Sequence, residues 1–326
     1  MSGETLPYRS LLVTGAGGYI GRQLVAALAR APGTLETIVA TDLRLPDADQ
    51  RLLGISYEVA DVRTTDLAAL FRRHHTDVCV HLAAIVTPGP GDSRQHEYEV
   101  DVVGSRRVLE ASVATGVAKL IYTSSGAAYG YHADNPEWLD ENDALRGNAE
   151  FAYSDHKRQV EELLARYRSE HPELLQLVFR PGTILGARAQ NQITALFDGR
   201  FVLGLRGSDS PFVFIWDEDV VGAIAKGIRE GGAGVFNLAG DGKLAMREIA
   251  RILGKPYLAL PPGLVAAALA VAKPLGLSRY GPEQVRFLMY RPVLANRRLQ
   301  QEFGYRPRKT TREVFDLYLA ARRQSG

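Results

Sequence analysis

The first half of the chain alternates short apolar runs with amphipathic stretches, and this alternation restricts the fold more than any other feature. Runs such as SLLVTG and TDVCVHLAA are apolar at nearly every position, as strands buried on both faces are. The stretches YIGRQLVAALARA and YSDHKRQVEELLARYRSEH repeat their apolar residues at helical intervals. Because parallel strands need helices on both faces and right-handed crossovers, we expect an α/β fold with a Rossmann-type, doubly wound parallel sheet.

The regular alternation ends after Pro181, where the chain becomes richer in helical stretches separated by Pro and Gly. We therefore predict a nucleotide-binding domain over residues 1–180, to which residues 213–239 return. A smaller, mostly helical substrate domain is predicted over residues 181–212 and 240–326. Within it, the apolar stretch 264–272 suits either a lid over a less polar substrate or an ordinary buried helix.

Charge and cysteine content exclude several classes of protein. The net charge of +2 indicates neither nucleic acid nor an anionic membrane as a partner. The single cysteine, Cys79, lies in a strand-like run and excludes an internal disulfide, which fits a reducing, cytoplasmic compartment. The seven histidines form no H-E-x-x-H pattern and have no cysteine partner, so no metal site is predicted.

Three glycines at intervals of three follow the first strand, in LLVTGAGGYIG. Gly15 suits a sharp turn, Gly18 a close approach of the main chain to a pyrophosphate, and Gly21 tight packing of the helix on the sheet. Tyr19 and Ile20 begin the helix, whose N-terminal N–H groups and dipole attract phosphates. The loop alone would equally allow a plain turn between a strand and a helix.

Asp42, at the end of the next strand, is a second and independent indication of a dinucleotide. A carboxylate there can accept both ribose hydroxyls of NAD and would repel the 2′-phosphate of NADP. Nearby Arg44 could hold that phosphate instead, and a merely solvated carboxylate is the alternative interpretation. We expect NAD rather than NADP.

A tyrosine and a lysine lie four residues apart in YSDHK, on one face of a predicted helix. A lysine ammonium and the positive nicotinamide ring would favour the phenolate of Tyr153, which could then take a proton from a substrate hydroxyl. Lys157 supplies that ammonium. A serine from SSGAAYG, at the end of the fifth strand, could hold the substrate oxygen.

Together, TGAGGYIG, HLAA, SSGAAYG, YSDHK and RPG resemble the extended short-chain dehydrogenase/reductases, the NAD-dependent epimerase/dehydratase group. The resemblance covers most of the chain. It implies Tyr153 as the acid/base, Lys157 as its partner and Ser125 as the catalytic hydroxyl, with Ser124 as the near alternative. It also implies a set of further cofactor contacts: Asp61, Val62, Leu82, Ala83, Ala84, Thr123, Pro181 and Gly182.

The substrate side departs from the nucleotide-sugar pattern of that group. Thr183 stands where those enzymes have an asparagine, Asp101 replaces another asparagine, and Arg291 is kept without the Gly-Asp that follows it there. We take Ala127, Thr183, Asn191 and Arg291 as candidate substrate contacts.

These departures favour an NAD-dependent oxidoreductase acting on a secondary alcohol or ketone of a small molecule. The alternatives are a nucleotide-sugar epimerase or dehydratase with tightly bound NAD, and a non-enzymatic NAD-binding module. The resemblance further implies a homodimer built from helices at 95–115 and 152–170, although their apolar stripes would also suit packing on the sheet.

Overall fold

The computed structural model describes residues 8–89, 91–189, 192–209, 211–230, 232–278 and 281–325. Seven parallel strands form the central sheet, in the order β10-β6-β5-β4-β1-β2-β3. The chain therefore starts in the middle of the sheet and reverses direction there, which confirms the doubly wound fold. The strands of this sheet are β1 (Ser10–Thr14), β2 (Thr37–Asp42), β3 (Ser56–Val59), β4 (Val78–His81), β5 (Lys119–Thr123), β6 (Leu175–Pro181) and β10 (Gly234–Leu238).

Side chains of each central strand alternate between two cores, one on each face of the sheet. On β1, Leu11 and Val13 pack in one core and Leu12 packs in the other. The first core is covered by α1 (Tyr19–Arg30) and α7 (Asp217–Arg229), and the second by α2 (Leu67–Arg73), α4 (Gly104–Thr115) and α5 (Ala152–Glu170). Burial on both faces explains why most positions of these strands are apolar.

Local signals set where the helices begin and end. The Asp66 carboxylate accepts a hydrogen bond from the backbone N–H of Ala69 and caps α2. Gly116 ends α4 with a φ of 71°, a left-handed conformation that suits glycine. The long helix predicted over 95–115 is present, but a π-helical turn at Glu99–Val103 separates α3 (Arg94–Tyr98) from α4.

The C-terminal part is mostly helical, as predicted, and adds two small parallel sheets. β7 (Thr183–Leu185) pairs with β9 (Phe214–Trp216), and β8 (Val202–Leu205) pairs with β11 (Tyr257–Leu260). A third core of aromatic side chains lies between these strands and the helices. The helices of this part are α6 (Gln192–Ala195), α8 (Met246–Leu253), α9 (Pro262–Ala272), α10 (Gln284–Met289), α11 (Arg297–Gln301) and α12 (Thr311–Ser325).

Two features of this part bear on the sequence-based expectations. β9 pairs with β7 and not with the central sheet, although its Ile215 packs in the first core of that sheet, whereas β10 pairs with β6 at the edge of the central sheet. No residue of α9 is buried, so the interpretation of 264–272 as an ordinary buried helix is wrong. Across the described ranges, none of the helices combines the length and apolar character needed to cross a bilayer.

Candidate active site

The glycine loop lies at the carboxyl ends of β1 and β4, where the two backbones come into close contact. Gly15 has a φ of 70°, and a Cβ at this position would lie 2.5 Å from the backbone nitrogen of Ala83. A Cβ on Gly21 would lie 2.2 Å from the Gly15 carbonyl oxygen. Only glycine fits both positions, and the loop therefore holds its backbone against the start of α1, as a pyrophosphate cradle requires.

Gly18 is the residue immediately before α1, in extended backbone, and its N–H donates to the Gly15 carbonyl at 3.1 Å. Ile20 and Tyr19 form the first turn of that helix. The Tyr19 hydroxyl donates to Asp217 at 2.5 Å, and burial together with this hydrogen bond raises the pKa of the phenol. This hydrogen bond joins the start of α1 to the start of α7.

Asp42 ends β2 with its carboxylate turned toward the glycine loop. One oxygen accepts the N–H of Gly17 at 2.9 Å, and the other accepts the N–H of Leu43 at 2.7 Å. The side chain remains partly exposed, and Arg44 makes no ion pair with it among the described contacts. This placement fits a carboxylate that receives ribose hydroxyls beside the pyrophosphate cradle.

The other predicted cofactor contacts line the same edge of the sheet. Asp61 forms an ion pair with Arg63 at 2.7 Å, and hydrogen bonding to that guanidinium lowers the pKa of the carboxyl. Val62 is buried against Gly104, where a Cβ would lie 2.6 Å from a methyl group of the valine. The remaining predicted contacts lie at or just after the ends of β4, β5 and β6, and all but buried Pro181 are partly exposed: Leu82, Ala83, Ala84, Thr123, Pro181 and Gly182.

Tyr153 and Lys157 lie on the first turns of α5, next to the end of β5. The Lys157 ammonium lies 5.7 Å from the centre of the Tyr153 ring. It donates to the Tyr122 hydroxyl at 2.9 Å and to the Thr123 carbonyl at 3.0 Å. The contact with Tyr122 was not predicted, because a buried tyrosine inside a strand gives no sign of which helix residue it meets.

Burial shifts the pKa of both side chains toward their neutral forms. It raises the pKa of Tyr153 to about 12, while hydrogen bonding with Ser125 acts in the opposite direction. It lowers the pKa of Lys157 to about 8, against the opposing charges of Asp101 and Glu161. A tyrosine in this state needs further positive charge nearby before it can act as a base near neutral pH.

The structure distinguishes the two candidate serines. The Ser124 hydroxyl is buried and donates to Glu161 at 2.5 Å, within a network where Glu161 also forms a bidentate pair with Arg180. Ser125 is partly exposed, and its oxygen accepts the N–H of Ala127 at 3.1 Å. Ser125 interacts with Tyr153, so the geometry favours Ser125 as the catalytic hydroxyl.

Asp101, in the π-helical turn, forms a buried pair with His156 at 3.4 Å. Its other oxygen accepts the N–H of Ile85, just beyond the end of β4. The sequence marked Asp101 only as a departure from the family pattern and did not reveal this pairing. The pair places an acidic group behind the Tyr153 and Lys157 side chains.

The predicted substrate contacts occupy different surroundings. Ala127 is buried in a 3-10 turn after β5, and the N–H of Thr183 donates to the Val213 carbonyl at 3.0 Å. The Arg291 guanidinium lies 3.8 Å from the Phe212 ring centre, and burial lowers its pKa to about 9. Asn191 lies outside the described residues.

Tyr131 is a neighbour of both Arg291 and Tyr153. It interacts electrostatically with both Tyr153 and Arg291, and its ring packs edge-on against Phe151 and Phe287, each at 5.2 Å. Sequence reasoning missed this aromatic cluster, because its members come from three separate segments. In the part of the chain that the structure describes, no group of three His, Cys, Asp or Glu side chains could hold a metal ion.

These features are typical of a dinucleotide-dependent α/β protein. They are the glycine cradle, the acidic residue at the end of β2 and the Tyr-x-x-x-Lys helix, all at the carboxyl ends of the parallel strands. Residues 11–238, more than half of the chain, match the NAD dependent epimerase/dehydratase family, and the chain belongs to that family. This assignment confirms both the predicted family and NAD as the predicted cofactor.

Relatives of known sequence and structure extend the similarity along the chain. An uncharacterized protein of Mycobacterium tuberculosis is 26% identical over 96% of this chain and 84% of its own length. The N-acetyl-alpha-D-glucosaminyl-diphospho-ditrans,octacis-undecaprenol 4-epimerase of Escherichia coli O157:H7 is 30% identical over 60% of this chain and 56% of its own.

Among solved structures, the UDP-glucose 4-epimerase of Thermotoga maritima, in complex with UDP-glucose, has a TM-score of 0.75. It is 19% identical and covers 97% of this chain and 99% of its own. MoeE5 in complex with UDP-glucose and NAD has a TM-score of 0.73 at 22% identity, over the same shares of the two chains. At these identities the likeness concerns the fold.

Proposed function

We propose that the protein transfers a hydride between NAD and a secondary alcohol or ketone carbon of a small-molecule substrate. The observation that carries the proposal is the meeting of Ser125, Tyr153 and Lys157 at the same sheet edge as the glycine cradle. Such an arrangement supports proton transfer at the substrate oxygen while the carbon exchanges hydride. When bound, NAD supplies the hydride acceptor or donor.

Each of the three side chains has a distinct role in this proposal. Tyr153 removes the proton from the substrate hydroxyl in the oxidative direction and returns it in the reverse direction. Lys157, whose ammonium is already held at the end of β5, lowers the energy of the phenolate through its positive charge. Ser125 donates a hydrogen bond to the substrate oxygen and holds it near Tyr153.

The other strand-end residues hold the cofactor. The start of α1 receives the pyrophosphate, and Asp42 accepts the ribose hydroxyls, so the protein prefers NAD to NADP. Asp61 and Val62 contact the adenine, and residues 82–84, Thr123 and 181–182 line the remainder. These roles rest on the match between each position and the family pattern.

The substrate is the point on which two candidates differ. Thr183 has a short hydroxyl side chain where the nucleotide-sugar enzymes of the family have the amide of an asparagine. This difference favours a simple alcohol or ketone over a sugar nucleotide. A buried Arg291 favours an anionic group on the substrate, which a nucleotide sugar carries and a neutral ketone does not. An epimerase or dehydratase that regenerates its own NAD is therefore the second candidate.

The two candidates separate on net cofactor turnover. The purified protein is incubated with NAD or NADH and panels of secondary alcohols, ketones and UDP-sugars, with NADH absorbance and product identity both recorded. Net NADH formation or consumption with an alcohol or ketone supports the oxidoreductase. Conversion of a UDP-sugar without net NADH supports the epimerase and contradicts the first candidate.

A Tyr153→Phe variant provides the control for either outcome. It keeps the ring and removes the proton-carrying hydroxyl, so turnover should fall by about 10²- to 10⁴-fold while NAD binding is retained. Undiminished turnover in this variant would contradict the proposed mechanism for both candidates.

A further inference from the structure

Helix α9 and the residues around it form an exposed apolar surface, which we call the α9 surface: Leu258, Leu264, Val271, Leu275 and Leu277. Leu264 is 58% exposed, Val271 62% and Leu277 79%. Of the twelve large hydrophobic side chains exposed among the described residues, these five fall within twenty consecutive positions. Exposed large apolar side chains concentrated in one segment indicate a site of interaction.

The composition of α9 distinguishes it from the other surface helices. Its sequence, PGLVAAALAVA, has no charged or polar side chain on any side. A helix of this kind is normally buried on all sides, whereas a surface helix normally has a polar face toward water. Here α10 packs against α9, yet no α9 residue is buried, so the described part of the chain leaves much of its apolar surface uncovered.

Charge in this part of the chain is strongly one-sided. Residues 243–286 contain seven lysines and arginines but two acidic residues, a net charge of +5, whereas the rest of the chain has a net charge of −3. Three of these cations form ion pairs, Lys243 with Glu137, Lys273 with Glu283 and Arg286 with Glu150. Arg247 lies 4.8 Å from the ring centre of Tyr257, on the strand that leads directly into α9. Among the described contacts, neither Arg247 nor the exposed Arg251 pairs with a carboxylate.

This charge favours one occupant over the others. A second copy of the chain would bring two segments of +5 against each other, and like charges repel. A small substrate under a lid would contact one side of α9 and leave the others in water. With α10 against one side of α9, an anionic bilayer surface can receive the exposed apolar side chains of the other side below the headgroups, and it attracts nearby arginines.

We propose that the α9 surface binds anionic lipid bilayers, with α9 lying in the interface and Arg247 and Arg251 near the lipid phosphates. The protein is thereby held at a membrane surface without spanning it. The central sheet and its cofactor edge take no part in this contact, so binding does not depend on the proposed reaction.

The test is co-sedimentation of the full chain with vesicles of phosphatidylcholine alone or with about one-third phosphatidylglycerol. The expected result is binding to the anionic vesicles at least about tenfold tighter than to the neutral ones, weakening as salt is added. No sedimentation with anionic vesicles would overturn the proposal.

Three variants locate the contact. In the double variant Leu264→Glu/Val271→Glu, affinity for anionic vesicles should fall by about tenfold or more, because charge replaces inserted apolar area. The matched control is Leu53→Glu, at a leucine that is 95% exposed outside the α9 surface, and it should bind as the wild type does. Arg247→Gln/Arg251→Gln should reduce the preference for anionic vesicles.

Folding and self-association are followed in the same samples. All variants should keep the wild-type thermal unfolding midpoint, since these side chains are exposed, and sedimentation velocity should give one oligomeric state for all of them. Equal loss of vesicle binding in Leu53→Glu would contradict the location. A change of oligomeric state confined to Leu264→Glu/Val271→Glu would show that a second copy covers α9 and would overturn the proposal.

Discussion

A buried lysine lies at each end of β5, and the contrast between the two lysines separates a structural environment from the proposed catalytic one. Lys119 begins the strand and donates to the carbonyls of Gly227, at 2.6 Å, and Glu230, at 3.2 Å. Those carbonyls belong to the C-terminal end of α7, the negative end of its dipole. Lys157 lies at the other end of the strand, on the Tyr122 hydroxyl and the Thr123 carbonyl.

Burial lowers the pKa of both lysines to about 8, so the pKa alone does not identify the functional one. The neighbours of the two lysines differ. Among the described contacts, Lys119 donates to carbonyls at the end of α7 and lies in the field of the Glu230 carboxylate. Lys157 is one turn from Tyr153 and on the same sheet edge as the glycine cradle. A perturbed pKa indicates a site only when neighbouring groups can use the proton.

The largest expected effect comes from exchanging the two lysines for methionine one at a time. Lys157→Met should lower kcat by about 10³-fold, because the phenolate of Tyr153 loses its positive neighbour. Lys119→Met should leave kcat within about twofold, since nothing at that end of β5 reaches the reacting groups. Steady-state kinetics measure both, and comparable losses would erase the distinction between the two ends.

A second, smaller effect tests which of the two serines near Lys157 is the proposed catalytic hydroxyl. Ser125→Ala should lower kcat by about 10²-fold, the cost of one donor to the substrate oxygen. Ser124→Ala should keep kcat and lower the free energy of unfolding by about 1–3 kcal/mol, because buried Glu161 loses a partner. Kinetics and urea unfolding on both variants check this, and a kinetic defect in Ser124→Ala alone would reverse the assignment.

A third and smaller effect concerns the cofactor at the same edge. Asp42→Asn should weaken NAD binding by about tenfold and improve NADP binding, because the carboxylate no longer attracts ribose hydroxyls or repels a 2′-phosphate. Fluorescence titration with each cofactor measures the change. If NADP already binds the wild type more tightly than NAD, the role proposed for Asp42 is wrong.

The smallest effect is a dependence of stability on pH at the structural end. Between pH 8 and the ordinary lysine value of 10.5, the unfolded chain holds a proton that folded Lys119 has lost, so the free energy of unfolding rises with pH. Between pH 8 and about 9.5, the free energy of unfolding of Lys119→Met should increase less than that of the wild type, by about 1 kcal/mol. Parallel curves from urea unfolding would contradict a shifted Lys119.

The features that sequence reasoning located are those whose signal is local. Gly15, Gly21 and Asp42 each lie where a strand ends, and Tyr153 and Lys157 are one helical turn apart, so order along the chain already sets their positions. Their convergence follows from the parallel sheet, whose carboxyl ends form one edge.

The features that sequence reasoning missed depend on contacts between distant segments. Tyr122 meets Lys157 across 35 positions, and Asp101 meets His156 across 55. No periodicity encodes such pairs, because the direction of a buried side chain depends on how helix and sheet are packed. Apolar composition likewise predicted that 264–272 is helical, but it does not determine whether other parts of the chain cover the helix.

The π-helical turn at Glu99–Val103 has a consequence for anyone who modifies this helix. The π turn holds about one residue more than an α turn, so a helical wheel drawn through the sequence of α3 is out of phase with α4 by roughly 100°. Deleting one residue from this turn would let it close as a regular α turn, so α4 would keep the orientation that buries Val108 and Leu109. The change would fall on the turn itself, where Asp101 forms its pair with His156.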